Sequence, residues 1–252
     1  MKNAEQIAEI VLKANGYVEL NKLQKEIIER NLIDRSLVVS APTASGKTLI
    51  AELFILNTFF NKGKKAIYIC PLRALASEHF RDFRRKYRKY GIKIAISTGD
   101  FDSSSRYLSN YDVIFLTYEK LDSLQRHNAS WLHDVALLVV DEIHTISSSR
   151  GPTLEVAITK QMLNNKQLQI LALSATIPNA KEIAKWLNAK LIKSDYRPIP
   201  LKEGVLFGRK IFYEGMEEEL NSENSGLTAL VEDTLTNGKQ ILCFANSRKR
   251  AG

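Results

Sequence analysis

Gly46, Lys47 and Thr48 close the stretch APTASGKT (Ala41–Thr48). They fit the spacing G-x-x-x-x-G-K-[ST], with Ala41 at the place of the first glycine. In that pattern the backbone N–H groups of Thr43, Ala44, Ser45 and Gly46 curl around a phosphate at a helix N-terminus. Gly46 permits the close approach, Lys47 reaches the β- and γ-phosphates, and the Thr48 hydroxyl is a ligand for Mg²⁺. Such a loop needs a carboxylate at the end of another strand. The run VALLVVDEIH supplies Asp141 and Glu142. Asp141 is suited to hold Mg²⁺ through water, and Glu142 to orient and deprotonate an attacking water. His144 lies two residues further on. A plainer reading makes Ala41–Thr48 a helix-capping turn and the two acids a complement to a helix dipole. The two clusters occurring together favour phosphate chemistry.

Both clusters must be positioned by a sheet. Short aliphatic or β-branched runs recur as SLVVS, KAIYIC, IKIAIS, DVIFLT, VALLVV and LQILAL, with helical patterns between most of them. Continuous apolar strands alternating with helices predict an α/β domain, mostly parallel, with helices on both faces, over residues 1–195. Ligands then sit at the carboxyl ends of the strands. MKNAEQIAEIVLKANG predicts an amphipathic helix closed by Gly16, and LIAELFILNTFF a helix with an apolar stripe. Residues 196–252 differ in texture. They read as a Pro- and Gly-bearing linker with a hairpin, a helix over NSGLTALVEDTLTNG, and a strand in KQILCFANSRKRAG. That is the start of a second α/β domain, truncated soon after its first strand.

The chain has 252 residues, 44% of them hydrophobic and 25% charged, with a net charge of +8. It is long enough for a full core, and its charge suits an anionic partner such as nucleic acid. No apolar run approaches the roughly 20 residues of a membrane span. The two cysteines, Cys70 and Cys243, form no disulfide framework, and cytoplasmic localisation is expected. His79, His127 and His133 have no metal-ligand partner at useful spacing, so no zinc or iron site is expected.

DEIH resembles the DExH box of superfamily 2 helicases, and other short motifs follow in the order of that superfamily. PLRALASEHF resembles motif Ia, STGD motif Ib, TYEKLDSL the next nucleic-acid-binding motif, SAT (Ser174–Thr176) motif III, and LCFANSRK motif IV. ISTGDFDSSSRYL, EKLDSLQRHNASWL, DEIHTISSSRGPTLE and RPIPLKEGV are similar to archaeal superkiller-like DNA helicases of the Holliday-junction-migration (Hjm) or HelQ type. The resemblance runs from about Leu20 to Gly252. It implies a RecA-like P-loop NTPase fold and an ATP- and Mg²⁺-dependent 3′-to-5′ motor. It further implies loading on single-stranded and branched DNA at stalled replication forks, alongside replication or repair proteins. His144, Ser174 and Thr176 would couple phosphate state to motion between two RecA-like domains. Gln24 resembles an adenine-reading glutamine, since an amide offers both a donor and an acceptor; an ordinary helix glutamine is the alternative. Tyr17 could stack on the base, though it reads rather as core.

Pro71, Arg73, Thr98, Gly99, Thr117 and Lys120 are the expected nucleic-acid contacts. They offer charges, hydroxyls and backbone groups suited to a phosphate backbone of any sequence. In RDFRRKYRKYG (Arg81–Gly91), Phe80, Phe83, Tyr87 and Tyr90 recur at helical spacing and face the core, leaving Arg84, Arg85, Lys86, Arg88 and Lys89 as a solvated face. Arg150, in SRGP, resembles a family arginine of unassigned role. An RNA helicase of the same group, a translocase that does not unwind, and a nucleotide-sensing module remain open. The intact Glu142 argues against the last. An arginine finger would come from the second lobe, whose motifs V and VI are absent, so the chain alone is expected to be inactive in unwinding.

Overall fold

The computed structural model describes residues 1–99 and 105–245. Two units divide the chain, Met1–Pro198 and Ile199–Gly252. The first unit holds seven strands: β1 (Leu37–Ser40), β2 (Lys65–Cys70), β3 (Ile94–Ser97), β4 (Val113–Thr117), β5 (Val135–Val140), β6 (Gln169–Ser174) and β7 (Lys190–Lys193). They run in the order β3-β4-β2-β5-β6-β1-β7, and every pairing is parallel. All six expected strands form; β7 is an addition. Its KLIK sequence is half polar, with a lysine at each end, as suits an edge strand, and only Ile192 is buried.

Alternation along the strands sends side chains to two faces. Val39, Tyr68, Cys70, Phe115 and Val139 pack with α1 (Ala4–Asn15), α2 (Lys22–Glu29), α3 (Lys47–Asn57) and α4 (Arg73–Tyr87). Val38, Ile67, Ile69, Leu116 and Val140 pack with α5 (Tyr118–Arg126), α6 (Gly151–Asn164) and α7 (Ala180–Trp186). Both faces are covered, which is why the strands read as continuous apolar runs. Among the described residues no helix is long and apolar enough to cross a membrane.

Local signals set the helix ends. Asn3 and Gln6 form a capping box at α1, and Gly16 ends that helix at φ 70°. Asn21 and Gln24 form a second capping box at α2. The expected stripe on α3 is instead complete burial, from Leu49 to Asn57, because α3 is enclosed on all sides.

The basic run of α4 needs one correction. Phe83 and Tyr87 are buried and Phe80 and Tyr90 half-buried against the core, as expected. Lys86 is not part of a solvated face. Its side chain is 11% exposed and its ammonium meets Glu52 at 2.8 Å and also Asp82. Glu52, on buried α3, accepts further hydrogen bonds from the Tyr87 hydroxyl (2.7 Å) and Asn15 Nδ2 (2.7 Å). Burial pulls the Lys86 pKa down, but the hydrogen bonds and charges of Asp82 and Glu52 outweigh it, and the net shift is upward. The Lys86→Met variant should lose about 3 kcal/mol of stability, since Glu52 keeps its buried charge without a counter-ion. Chemical denaturation reads this, and adding Glu52→Leu should restore much of the loss.

The second unit holds three antiparallel strands, β8 (Gly204–Phe207), β9 (Lys210–Tyr213) and β10 (Met216–Glu219), followed by α8 (Gly226–Thr236). The hairpin and helix form where expected. The strand expected in KQILCF does not: 239–245 carries no strand, and Leu242 and Phe244 are exposed. A lone strand with no neighbouring ladder gains no backbone pairing over water. Asn246–Lys249 of the motif IV stretch, and Asp100 to Ser104, lie outside the described residues.

Candidate nucleotide and nucleic-acid site

The loop after β1 and the loop after β5 open at the same edge of the sheet, with β6 between the two strands. A cleft of about 700 Å³ lies there, lined among others by Tyr17, Gln24, Gly46, Lys47, Thr48, His79, Asp141 and Glu142. The two clusters that lie almost a hundred residues apart in sequence therefore face one cavity.

Backbone geometry shapes the phosphate loop. Gly46 has φ 83°, and a Cβ there would stand 2.3 Å from Gln24 Nε2. The left-handed conformation disfavours any side chain, and a Cβ would also push the Gln24 amide out of its place. Ala44 is also left-handed, at φ 64°. Lys47 starts α3 and donates from Nζ to the carbonyls of Ala41 (2.8 Å) and Pro42 (2.8 Å). Burial pulls the Lys47 pKa down, while Glu142 and Asp141 oppose that pull. The Ser45 hydroxyl is buried with no partner among the described residues, whereas Thr43, Ala44 and Thr48 are exposed to the cleft.

Gln24 is 4% exposed and its amide is engaged on both sides. The oxygen accepts from Asn21 N at 3.0 Å, and the nitrogen donates to Gly46 O at 3.1 Å. Asn21 also donates to Ser45 O at 2.9 Å. In this structure the capping box of α2 thus braces the phosphate loop, and an adenine contact by Gln24 requires it to leave one of these partners. Tyr17 corrects the core expectation: it is 60% exposed and lines the cleft.

Asp141 is 8% exposed. Its Oδ1 accepts from the Glu142 backbone N–H at 3.0 Å. Its Oδ2 accepts from the Tyr68 hydroxyl at 2.9 Å and lies 3.2 Å from His79 Nε2. The Tyr118 hydroxyl donates to the Asp141 carbonyl. Tyr68, His79 and Tyr118 were missed as site residues. Tyr68 carried a faint signal, a hydroxyl inside an aliphatic strand that must find a partner when buried. Burial and Asp141 push the Tyr68 pKa far up, so it stays a donor. Glu142 sits at φ 51°, a strained conformation for a residue with a side chain. His144 Nδ1 lies 3.2 Å from Glu142 Oε2. Ser174 ends β6, and its carbonyl accepts from Ala41 N at 3.2 Å. The Ser174 hydroxyl is buried without a partner among the described residues, and Thr176 is exposed. These positions bring His144 to Glu142 and Ser174 to the phosphate loop.

The candidate nucleic-acid residues divide. Arg73 is exposed at the start of α4, Thr98 and Gly99 are half-buried after β3, and Pro71 is buried after β2. Lys120 and Thr117 depart from expectation. Each is 4% exposed, and the Thr117 hydroxyl accepts from Lys120 N as the N-cap of α5. The cap uses one lone pair of that oxygen and leaves its O–H proton to donate, but the low exposure of Thr117 keeps the hydroxyl from the surface. Arg150 has a structural role that the sequence did not reveal. Its guanidinium donates to the Pro71 carbonyl and lies 3.8 Å from Glu119 Oε1, so it ties the loop after β2 to the first turn of α5. Arg150→Ala should change stability by no more than about 1 kcal/mol, because the pair with Glu119 is half-exposed. It should lower single-strand affinity several-fold by releasing that loop; fluorescence anisotropy checks this.

An all-parallel sheet with a phosphate loop after one strand and an acidic pair after another defines a P-loop nucleotide hydrolase. Residues 21–183 match the DEAD/DEAH box helicase family, and the chain belongs to that family. It is 48% identical over 251 residues to the "ATP-dependent DNA helicase Hel308" of Pyrococcus abyssi, covering 98% of this chain and 34% of that protein. The Hel308 helicase of Methanocella arvoryzae is 48% identical over 242 residues (93% and 33%), and that of Methanocaldococcus jannaschii 46% over 251 residues (96% and 21%). The chain thus spans between about a fifth and about a third of the length of these relatives. Among solved structures, the helicase MrfA bound to DNA shares the fold, with TM-score 0.64 and 22% identity over 78% of this chain and 30% of that one.

Proposed function

We propose that this chain is the ATP-binding lobe, residues 1–195, of an ATP-dependent 3′-to-5′ DNA helicase that loads on single-stranded and branched DNA. The observation that carries the reading is the convergence of Lys47, Asp141 and Glu142 on one cleft at the carboxyl edge of the sheet. The identity to Hel308 helicases along nearly the whole chain supports DNA as the track. Action in repair of stalled forks, with replication or repair proteins nearby in the cytoplasm, is part of the same proposal.

The residues suit a Mg²⁺–nucleotide complex. Gly46 takes a left-handed backbone that favours glycine, the Ser45 hydroxyl is buried and unpartnered among the described residues, and Lys47 holds its charge on loop carbonyls that a phosphate can replace. Thr48 and Asp141 would hold Mg²⁺, whose charge neutralises that developing on the phosphates. Lys47 binds and orients the terminal phosphate. Glu142 takes a proton from the attacking water on its carboxylate, and His144 Nδ1 stands 3.2 Å from its Oε2 without a hydrogen bond. Tyr68 and His79 hold the Asp141 carboxylate in place. Residues 196–252 are assigned to the linker and the beginning of a second lobe.

Steady-state ATP hydrolysis with single-stranded DNA, then with RNA of the same sequence, tests the proposal. Stimulation by DNA supports it, and stimulation by RNA alone moves the protein to RNA processing. These 252 residues by themselves should bind ATP–Mg²⁺ weakly, hydrolyse it slowly and separate no strands. Robust unwinding by them in a fluorescent strand-displacement assay would contradict the division of labour between two lobes.

A further inference from the structure

We propose that Cys70, His79 and Asp141 form a binding site for a borderline-soft divalent ion such as Zn²⁺ or Co²⁺, at the floor of the cleft. No zinc site is expected from sequence spacing, because the three residues lie on separate elements. The fold brings them together. Cys70 ends β2 and Asp141 follows the adjacent β5, with Asp141 N donating to Ile69 O at 3.0 Å. Strand alternation puts both side chains on the face covered by α4. His79 comes down from α4, its ring 5.1 Å from that of Tyr68 and its Nε2 3.2 Å from Asp141 Oδ2. One ligand atom from each residue lies within 4.8 Å of the other two.

Zinc bonds to sulfur, nitrogen and oxygen are about 2.0–2.3 Å long, so neighbouring ligands in a tetrahedral shell stand roughly 3.3–3.7 Å apart. His79 Nε2 and Asp141 Oδ2 already stand 3.2 Å apart, close to that spacing, and the Cys70 sulfur lies within 4.8 Å of a ligand atom of each residue. A sulfur, an imidazole nitrogen and one carboxylate oxygen are a poor set for Mg²⁺, which takes oxygen ligands, and a good one for Zn²⁺ or Co²⁺. His79 and Asp141 line the cleft, which leaves the fourth position of the shell to a water or a phosphate oxygen. The Tyr68 hydroxyl on Asp141 Oδ2 is the kind of outer hydrogen bond that orients a ligating carboxylate. Binding displaces the Cys70 thiol proton to solvent.

Occupancy would take Asp141 away from the Mg²⁺–nucleotide complex, so the ion should inhibit hydrolysis. This consequence rests on the function proposed above; the binding itself does not. Titration of the chain with Co²⁺, in a Cys243→Ser background that removes the other thiol, reads the site directly. One equivalent should bind with a thiolate-to-cobalt charge-transfer absorption that Zn²⁺ abolishes by displacement. His79→Gln should weaken binding at least about tenfold, and Cys70→Ala should remove the absorption while circular dichroism stays unchanged. No charge-transfer absorption, or unaltered affinity in His79→Gln, overturns the proposal, and the half-buried position of His79 keeps that variant informative even where Cys70→Ala unfolds. If Co²⁺ binds and the chain free of that ion binds no Mg²⁺–nucleotide, the site stands and the helicase reading fails.

Discussion

Replacing Lys47 by alanine is expected to lower nucleotide hydrolysis at least about a hundredfold, the scale of losing one preorganised charged donor to developing negative charge. Nζ sits in the cleft with Asp141 and Glu142. It is held by two backbone carbonyls, each at 2.8 Å. Those bonds keep the ammonium aimed along the loop, so a phosphate meets a charge already in position. Burial strengthens the charge's action on a phosphate and pulls the Lys47 pKa down, a pull that the two carboxylates oppose. Alanine removes the charge and leaves the fold intact, because Lys47 opens α3 and the buried face of that helix begins at Leu49. Nucleotide affinity and hydrolysis should therefore fall together, with the thermal transition hardly moved.

Glu142→Gln should separate those two quantities. Glutamine keeps the shape, the left-handed backbone and the contact distance to His144, and loses the ability to accept a proton. Hydrolysis should fall by about 10²–10⁴, the usual worth of a positioned general base, with nucleotide binding retained. A fall in affinity of the same size would place Glu142 among the binding groups. Because the backbone at Glu142 is strained whichever side chain it carries, stability should be unchanged between the two proteins.

What the sequence disclosed follows from locality. Gly46, Lys47 and Thr48 occupy one strand–loop–helix unit, and their spacing alone predicts their geometry. Asp141 and Glu142 were legible because they end an apolar strand, and strand ends are where such sheets bind ligands. The partners of Asp141 were not legible. Tyr68 comes from β2, His79 from α4 and Tyr118 from α5, and only the strand order β4-β2-β5 sets them around one carboxylate. Lys86 misled for a related reason. A lysine in a basic run reads as solvated, yet Glu52, fixed on a buried helix, draws Lys86 inward. Thr117 read as a ligand-binding hydroxyl, and α5 used it as a cap. The edge strand β7 and the failed strand at 239–245 show the same limit, since pairing depends on which neighbour is present.

The claim at the centre of this account is that the loop Ala41–Thr48 and the Asp141–Glu142 pair make one Mg²⁺–nucleotide site. Equilibrium titration with a fluorescent ATP analogue, with and without Mg²⁺, tests it most directly on the wild-type chain and on Lys47→Ala. Saturable binding that strengthens with Mg²⁺ and is lost in Lys47→Ala is the predicted result. Binding that ignores both Mg²⁺ and the loss of Lys47, or no binding at all, would contradict it.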